Sequence, residues 1–219
     1  MKRVLGLFCA VFLISGFFCI AQAATVNYGW EDGGTILGSY GNLVDPENVS
    51  GISNSGSYSL KVTEAPHYST PQAYLGFVTG LTDGDIIEAS FFGYDDTPGA
   101  SPSLRIWASY ATSDDINNYV ASAGGNSTYT DGYGWDEVSY SWTFDSNGGT
   151  RDALVIQARL YSTPSTDTEG STDYYIDDLT ITAPDCATII TPSAVPIPGA
   201  IWLLGAGFIS LAGIARKKA

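Results

Sequence analysis

Apolar and polar residues alternate along several short segments of this chain, and this alternation predicts β-strands. The two clearest segments are 135–144 and 152–161, where every second residue is apolar: Val138, Tyr140, Trp142 and Phe144, then Leu154, Ile156, Ala158 and Leu160. Further strands are predicted at 24–30, 49–52, 57–62, 72–78, 86–94, 103–112 and 174–183. A repeat of two is typical of a strand with one buried face, and no segment between the two ends of the chain has a helical period.

Turns rich in Gly, Asp and Asn separate these strands, and the longest loop is predicted at 113–134. Seven or more short strands with such turns favour an all-β fold, an antiparallel β-sandwich in which each sheet buries one face. The strands occupy residues 24–185, a length that suits one domain.

The N-terminus has the pattern of a secretory signal peptide. Lys2 and Arg3 precede an apolar run at 4–20, and Ala21-Gln-Ala23 offers a cleavage site. Residues 1–23 are therefore predicted to be removed on export, with an uncleaved anchor as the alternative.

The C-terminus predicts a single transmembrane helix. The 19 residues at 197–215 carry no charge and as a helix would be roughly 28 Å long, close to the hydrocarbon thickness of a bilayer. The basic residues Arg216, Lys217 and Lys218 follow directly and mark the cytoplasmic side. Residues 186–194 before it are predicted to be a tether.

Residues 195–219 resemble the PEP-CTERM class of bacterial sorting signals, in the variant with a Val-Pro-x-Pro-Gly-Ala motif. The matching residues are Val195, Pro196, Pro198, Gly199 and Ala200, and Ile197 stands where the name-giving form has Glu. The resemblance implies recognition by an exosortase-type membrane transpeptidase, cleavage near this motif, and transfer of the domain to the cell surface or extracellular matrix. Before processing, the helix would hold the chain in the membrane. The alternative is a plain single-pass anchor that is never cut.

Residues 24–185 are strongly acidic, with four basic against 23 acidic side chains and a net charge of −19. Such a surface repels phosphate backbones, so nucleic acid is excluded as a partner. It suits divalent cations, and calcium is the hard cation available outside the cell. Cys186 is the single cysteine left after the signal peptide, so no disulfide can form within the exported domain.

Five framework segments resemble the jelly-roll domains of carbohydrate-binding modules and galactose-binding-like proteins. They are 28–33 (YGWEDG), 56–62 (GSYSLKV), 81–85 (LTDGD), 134–138 (GWDEV) and 175–179 (YIDDL). The resemblance implies a structural calcium held by the opening Glu and an Asp of the closing strand, here Glu31 and Asp177, with Asp178 as the neighbouring candidate. Alternation puts Asp177 on the core face with Leu179 and Ile181. The alternative is that Glu31 and Asp178 cap turns in water.

Aromatic side chains on polar faces and loops are candidate sugar contacts, because a flat ring can pack against the C–H face of a sugar. Trp107 lies on the polar face of its strand, and Tyr129 and Tyr133 lie in the long loop with Tyr119 nearby. Trp135, Trp142 and Tyr140 are interpreted as core residues.

No residue set predicts a reaction. His67 is the single histidine and lies beside Pro66 in a loop, and the sequence has no Gly-x-Ser-x-Gly motif. The sequence therefore predicts a non-catalytic exported protein that binds or structures polysaccharide. The alternatives are a calcium-stabilised surface protein without a specific ligand, and a polysaccharide-active hydrolase.

Overall fold

The computed structural model describes residues 23–67, 69–95, 103–126, 130, 133–161 and 170–193, and its twelve strands lie within these ranges. They are β1 (Ala23–Tyr28), β2 (Gly38–Tyr40), β3 (Leu43–Ser50), β4 (Tyr58–Glu64), β5 (Gln72–Thr79), β6 (Ile86–Asp95), β7 (Ser103–Ala111), β8 (Ala121–Gly125), β9 (Gly134–Thr143), β10 (Ala153–Tyr161), β11 (Thr172–Pro184) and β12 (Thr188–Ile190). The same ranges hold no helix with the length and hydropathy needed to cross a membrane. Residues 1–22 of the predicted signal peptide and the whole predicted sorting signal lie outside them.

The strands form two six-stranded sheets in which every pairing is antiparallel. Sheet A has the order β3-β4-β11-β6-β9, with β1 also paired to β11. Sheet B has the order β12-β5-β10-β7-β8, with β2 also paired to β5. The predicted all-β antiparallel sandwich is therefore confirmed, and its two-sheet arrangement fits a jelly roll.

The core lies between the sheets and is built by the predicted alternation. On β10 the side chains of Leu154, Ile156, Ala158 and Leu160 are all fully buried, and on β7 so are Leu104, Ile106 and Ala108. On β9, Trp142 is buried as predicted, whereas Tyr140 is 39% exposed. Tyr140 belongs to β9, which is the edge strand of sheet A within the part of the chain that the structure describes.

One β-bulge changes the alternation of β11. Its register against β6 shifts between Asp177 and Thr180, and Asp178 has a positive φ of 49°. As a result Ile176, before the bulge, and Leu179, after it, are both fully buried although they lie three residues apart. Asp177 lies at the bulge with its side chain fully buried.

The segment predicted as a tether folds partly onto the sandwich. Residues 188–190 pair with β5 as β12, at an edge of sheet B. Beyond this strand the hydroxyl of Tyr28 donates a hydrogen bond to the carbonyl oxygen of Pro192, at 2.9 Å. The sandwich therefore holds the chain up to Pro192, three residues before the predicted sorting motif.

Candidate functional site

A groove lies on the outer face of sheet B, with a volume of about 470 Å³. It is lined by Tyr40, Thr70, Gln72, Tyr74, Trp107, Ser109, Tyr119, Ser122 and Arg159. A shallower depression of about 360 Å³ lies on sheet A and is lined mainly by Ser, Thr and Glu residues. The two surfaces thus differ in chemistry, since aromatic rings and an arginine are concentrated on sheet B.

The alternation that buries one face of β7 and β10 turns the other face into the floor of the groove. Trp107 of β7 pairs with Gln157 of β10, and Arg105 pairs with Arg159. Since neighbouring strands are about 4.8 Å apart, side chains at paired positions on one face are direct neighbours. The register therefore places one aromatic ring, one amide and two guanidinium groups side by side.

The outer face of sheet B is covered at one end and open at the other. A small apolar cluster around Phe77, Ala153 and Val155 is covered by Leu37 and Ile116. Beyond this cluster the rings of Tyr40 and Tyr119 stand at the groove with 64% and 65% of their surface exposed. Exposed rings beside a covered apolar cluster form a wall that a ligand can contact from solvent.

The strand β8 closes one side of the groove because a glycine lets it approach β7. A Cβ on Gly125 would lie 2.1 Å from the carbonyl oxygen of Ile106, so a larger residue would push the two strands apart. The adjoining residues Tyr119 and Ser122 reach the groove from this side.

Two buried polar side chains belong to this part of sheet B: Tyr74 lines the groove, whereas Gln157 is paired with Trp107 but is not a lining residue. Gln157 is 1% exposed, and its amide nitrogen donates to the Ser109 hydroxyl at 2.8 Å. Its amide oxygen has no hydrogen-bond partner among the residues that the structure describes. Burial, with a smaller effect from Tyr40, raises the pKa of Tyr74, so this phenol stays protonated and can donate a hydrogen bond.

Two arginines surround the indole ring of Trp107. The Cζ atoms of Arg105 and Arg159 lie 4.4 and 4.8 Å from the centroid of this ring. Each also lies 5.6 Å from the centroid of the Tyr161 ring. Guanidinium groups at these distances are attracted to the ring faces, which fixes the orientation of Trp107.

The structure brings one of the three predicted sugar-binding residues into the groove. Trp107 lines it and is half-buried. Tyr133 is 79% exposed and directly precedes β9, in the other sheet, and it is not a lining residue of the groove. Tyr129 lies outside the described residues.

Sequence reasoning missed Arg159 and the lining tyrosines Tyr40 and Tyr74. Arg159 and Gln157 occupy the polar positions of the β10 alternation, and the same signal that identified Trp107 on β7 could have identified them. Tyr40 had no such signal, because β2 has only three residues.

A second polar site joins the first strand, the last long strand and the loop 54–58, and we refer to it as the junction. Asp177 Oδ2 accepts hydrogen bonds from the backbone N–H groups of Asn54 and Ser55, at 2.8 and 3.1 Å, and Asp177 Oδ1 accepts from the N–H of Asp178 at 2.8 Å. Glu31 Oε1 accepts from the N–H groups that follow in the same loop, those of residues 57 and 58, at 2.8 and 2.9 Å. The two predicted calcium ligands thus bind one loop.

In the structure, backbone N–H groups occupy the carboxylate oxygens of the junction that are predicted to bind calcium. Calcium requires six to eight oxygen ligands, whereas the oxygens of Asp177 and Oε1 of Glu31 accept N–H hydrogen bonds. The described ranges contain no group of three or more acidic, His or Cys side chains placed to hold a metal. Burial is the main cause that raises the pKa of Asp177, and the three N–H groups oppose it. Calcium binding stays a prediction.

Solved structures share this fold. The chain is similar to the tandem of CBM22-1 and CBM22-2 domains of Xyn10C from Paenibacillus barcinonensis, with 22% identity and a TM-score of 0.51 over 72% of this chain and 49% of that one. It therefore spans about half the length of that tandem. The CBM22-2 xylan-binding domain alone matches with 21% identity and a TM-score of 0.49 over 72% of this chain and 98% of that one.

The CBM22-1 and GH10 modules of endo-1,4-beta-D-xylanase 10B from Clostridium thermocellum match with 18% identity and a TM-score of 0.41, over 73% of this chain and 26% of that one. No protein-family model matches the sequence, and no curated protein matches it. The predicted likeness to the fold of carbohydrate-binding modules is confirmed, and at these identities it is a likeness of fold.

Proposed function

We propose that the described domain is a non-catalytic polysaccharide-binding module that holds its polymer in the groove of sheet B. We further propose that the chain is exported and that its C-terminal signal directs it to the cell surface or extracellular matrix, through an exosortase-type transpeptidase. The observation that supports binding is the groove itself, in which the exposed rings of two tyrosines stand beside Trp107 and Arg159.

The chemistry of the groove suits a sugar chain. The rings of Tyr40 and Tyr119 offer flat apolar surfaces for the C–H faces of sugar units. Tyr74 offers a donor, and the hydroxyl of Ser122 can donate or accept. A site with convergent polar groups among aromatic side chains is typical of small-molecule and sugar recognition. The fold shared with the CBM22 tandem supports the same function, since those domains are named as carbohydrate-binding modules.

Retention on insoluble polysaccharides tests the proposal. We expect the full chain, kept soluble with a mild detergent, to be retained on at least one polymer of a panel of β-linked plant and bacterial polysaccharides. Trp107→Ala should weaken that binding tenfold or more, about 1.4 kcal/mol, because it removes the ring at the centre of the groove. Tyr140→Ala is the matched control, since it removes an exposed ring from the other sheet and should leave the affinity unchanged.

Two results would contradict the proposal. Failure of the wild-type chain to bind any polymer would favour a structural surface protein without a ligand. Release of reducing ends, lost when one or two carboxylates are replaced, would show a hydrolase instead. The melting temperature of each variant must also be measured, because a variant that unfolds loses the groove and therefore loses binding whatever the role of the replaced side chain.

A further inference from the structure

The outer face of sheet A carries rows of side chains that the strand register aligns. In β6, Ala89 and Phe91 are buried in the core. The alternating residues Ser90, Phe92 and Tyr94 therefore point outward. Because β6 pairs with β9 along its whole length without a register shift, outward side chains at the same level form rows across the sheet.

Three aromatic side chains form one of these rows. Tyr94 pairs with Tyr175 of β11 on one side and with Trp135 of β9 on the other. The centroid of its ring lies 6.1 Å from that of Tyr175 and 5.5 Å from that of Trp135, with the rings in edge contact. We call these three residues the aromatic row. All three are half-buried, so Trp135, interpreted from the sequence as a core residue, lies on the outer face with part of its surface in solvent.

Short polar side chains form the next rows and make the floor of the depression of about 360 Å³ on sheet A. Ser90, for example, lines the depression between Thr180 of β11 and Ser139 of β9. The depression crosses three strands, which at the usual spacing of about 4.8 Å span about 10 Å. The outer face of sheet A thus has a low polar surface next to aromatic rings.

The chemistry of the depression suits a neutral ligand that is rich in hydroxyl groups. Glu88 and Glu137 line it and are exposed, and none of its described lining residues is basic. Carboxylates accept hydrogen bonds, and Ser and Thr hydroxyls both donate and accept them. Acidic polymers are repelled by the two carboxylates and by the net charge of −19, and so is a second copy of this domain. An aromatic patch with a polar rim is typical of an interaction surface.

This surface and the groove lie on opposite faces of the sandwich. The groove is on the outer face of sheet B, the aromatic row is on the outer face of sheet A, and the core lies between the sheets. Packed sheets are about 10 Å apart, and the two sets of side chains point away from each other. If both surfaces are occupied, they therefore hold two separate stretches of polymer.

We propose that the outer face of sheet A is a second contact surface for neutral polysaccharide, so that one domain bridges two polymer chains. The aromatic row packs against sugar rings, and Glu137 with the neighbouring hydroxyls binds sugar hydroxyl groups. This inference rests on the proposed polysaccharide-binding function of the groove, which supplies the first contact. The surface on sheet A is shallower and binds more weakly than the groove, so it determines bridging and not retention.

A sandwich capture assay tests bridging. Beads that carry the neutral polymers of the retention panel, among them xylan, mannan, cellulose and galactan, are loaded with the full chain in mild detergent and washed. They then receive a fluorescent soluble fragment of the same polymer, with chelator present so that calcium cannot link chains. For at least one polymer, we expect the loaded beads to capture tenfold or more fluorescence than beads without protein.

Four variants assign bridging to the two faces. Trp135→Ala and Glu137→Gln should keep retention on the beads within twofold of the wild type and lower the captured fluorescence, tenfold and about threefold respectively. Trp107→Ala should lower both retention and capture. Tyr58→Ala removes a 40% exposed ring of sheet A from outside the row and the depression, and should change neither.

Melting temperatures separate this role from a structural one, because paired aromatic side chains also stabilise a sheet. A row that only stabilised the fold would lower the melting temperature of Trp135→Ala and leave capture by the folded protein unchanged. Glu137→Gln keeps the shape of an exposed side chain, so it tests the surface even if Trp135→Ala unfolds.

The outcomes separate this inference from the function of the groove. If wild-type chain is retained but captures no fragment, if folded Trp135→Ala and Glu137→Gln capture as well as the wild type, or if only acidic polymers are bound, the second surface is overturned while the groove stands. If an equimolar mixture of Trp135→Ala and Trp107→Ala restores capture, copies of the chain associate to bridge, which also overturns it. If the wild-type chain binds no polymer, both proposals fail together.

Discussion

In the junction the carboxylate of Asp177 accepts three backbone hydrogen bonds, whereas in the groove the amide oxygen of Gln157 accepts none from the described residues. Both side chains are almost completely buried, with exposures of 0% and 1%. Both belong to central strands of their sheets, β11 and β10. Two buried polar side chains at similar positions of the fold therefore differ in whether the described residues satisfy their acceptor atoms.

We interpret the difference as one between polar groups that stabilise the fold and polar groups that support the proposed binding groove. A buried acceptor without a partner costs free energy, so its presence requires an explanation. The junction has no such surplus at Asp177, and its bonds tie the loop 54–58 to β11. On the outer face of sheet B, Oε1 of Gln157 and Nε of Arg159 are buried without a hydrogen-bond partner among the described residues. We infer that the junction determines stability and the groove determines binding.

The largest effect is expected in the junction. Asp177→Ala leaves three N–H groups without their acceptor, and we expect it to lower the free energy of unfolding by about 3 kcal/mol and the melting temperature by about 6–12 °C. Affinity for polysaccharide, measured below the melting range, should not change. Asp185→Ala, at an exposed aspartate, is the control and should melt like the wild type. An unchanged melting temperature with weakened binding would reverse the assignment of the two regions.

The same melts, run with calcium and with chelator, test the calcium prediction. Calcium bound to the folded state alone, at a hundredfold excess over its dissociation constant, would add about 2.7 kcal/mol of stability. A rise that is lost in both Glu31→Ala and Asp177→Ala would show that the junction binds the ion in place of some N–H contacts. If calcium does not change the melting temperature, the junction stabilises the fold through its hydrogen bonds and not through a bound ion.

A smaller effect of the opposite kind is expected in the groove. Gln157→Leu removes a buried amide oxygen that lacks a partner among the described residues, together with one hydrogen bond to Ser109. These two terms oppose each other, so we expect the free energy of unfolding to stay within about 1 kcal/mol of the wild type. Affinity for polysaccharide should fall about fivefold, roughly 1 kcal/mol, because the variant loses the hydrogen bond that holds the hydroxyl of Ser109, a lining residue of the groove. A large loss of stability with full binding would make Gln157 a structural residue.

The alternation of apolar and polar residues predicted the regular strands and their buried faces. It did not predict features that depend on a bulge or a loop. The core face of β10 and the outward position of Trp107 follow from alternation within regular strands. Asp177 was expected on one face with Leu179, but the bulge at Asp178 changes the alternation there. Its hydrogen bonds to a loop more than a hundred residues away have no local signal.

The groove was predictable only in part for a similar reason. Its floor comes from β7 and β10, whose polar faces are visible in the sequence, whereas Tyr40 and Tyr119 reach it from a three-residue strand and from a loop. Such positions depend on tertiary packing and have no periodicity. The pairing of Arg105 with Arg159 requires the strand register, which a single sequence does not supply.

The smallest effect concerns pH and isolates the burial of the junction carboxylate. Burial raises the pKa of Asp177, so the folded chain binds this proton more tightly than the unfolded chain does. Linkage then requires that the stability contributed by Asp177 is greatest below its unfolded pKa of about 3.9 and is lost as the pH rises through the folded pKa. Other carboxylates, such as Asp83, have lowered pKa values and act in the opposite direction, so the wild type alone does not report this effect.

The informative quantity is the stability of the wild type minus that of Asp177→Asn, measured by denaturant unfolding at several pH values from 4 to 7. We expect this difference to decrease as the pH rises, because Asn cannot titrate. Gln157→Leu supplies the control from the groove, and its difference from the wild type should be flat over the same range. A difference that increases with pH in chelator would mean that the three N–H groups outweigh burial at Asp177. An increase that appears only when calcium is added would instead mean that a bound cation neutralises this carboxylate.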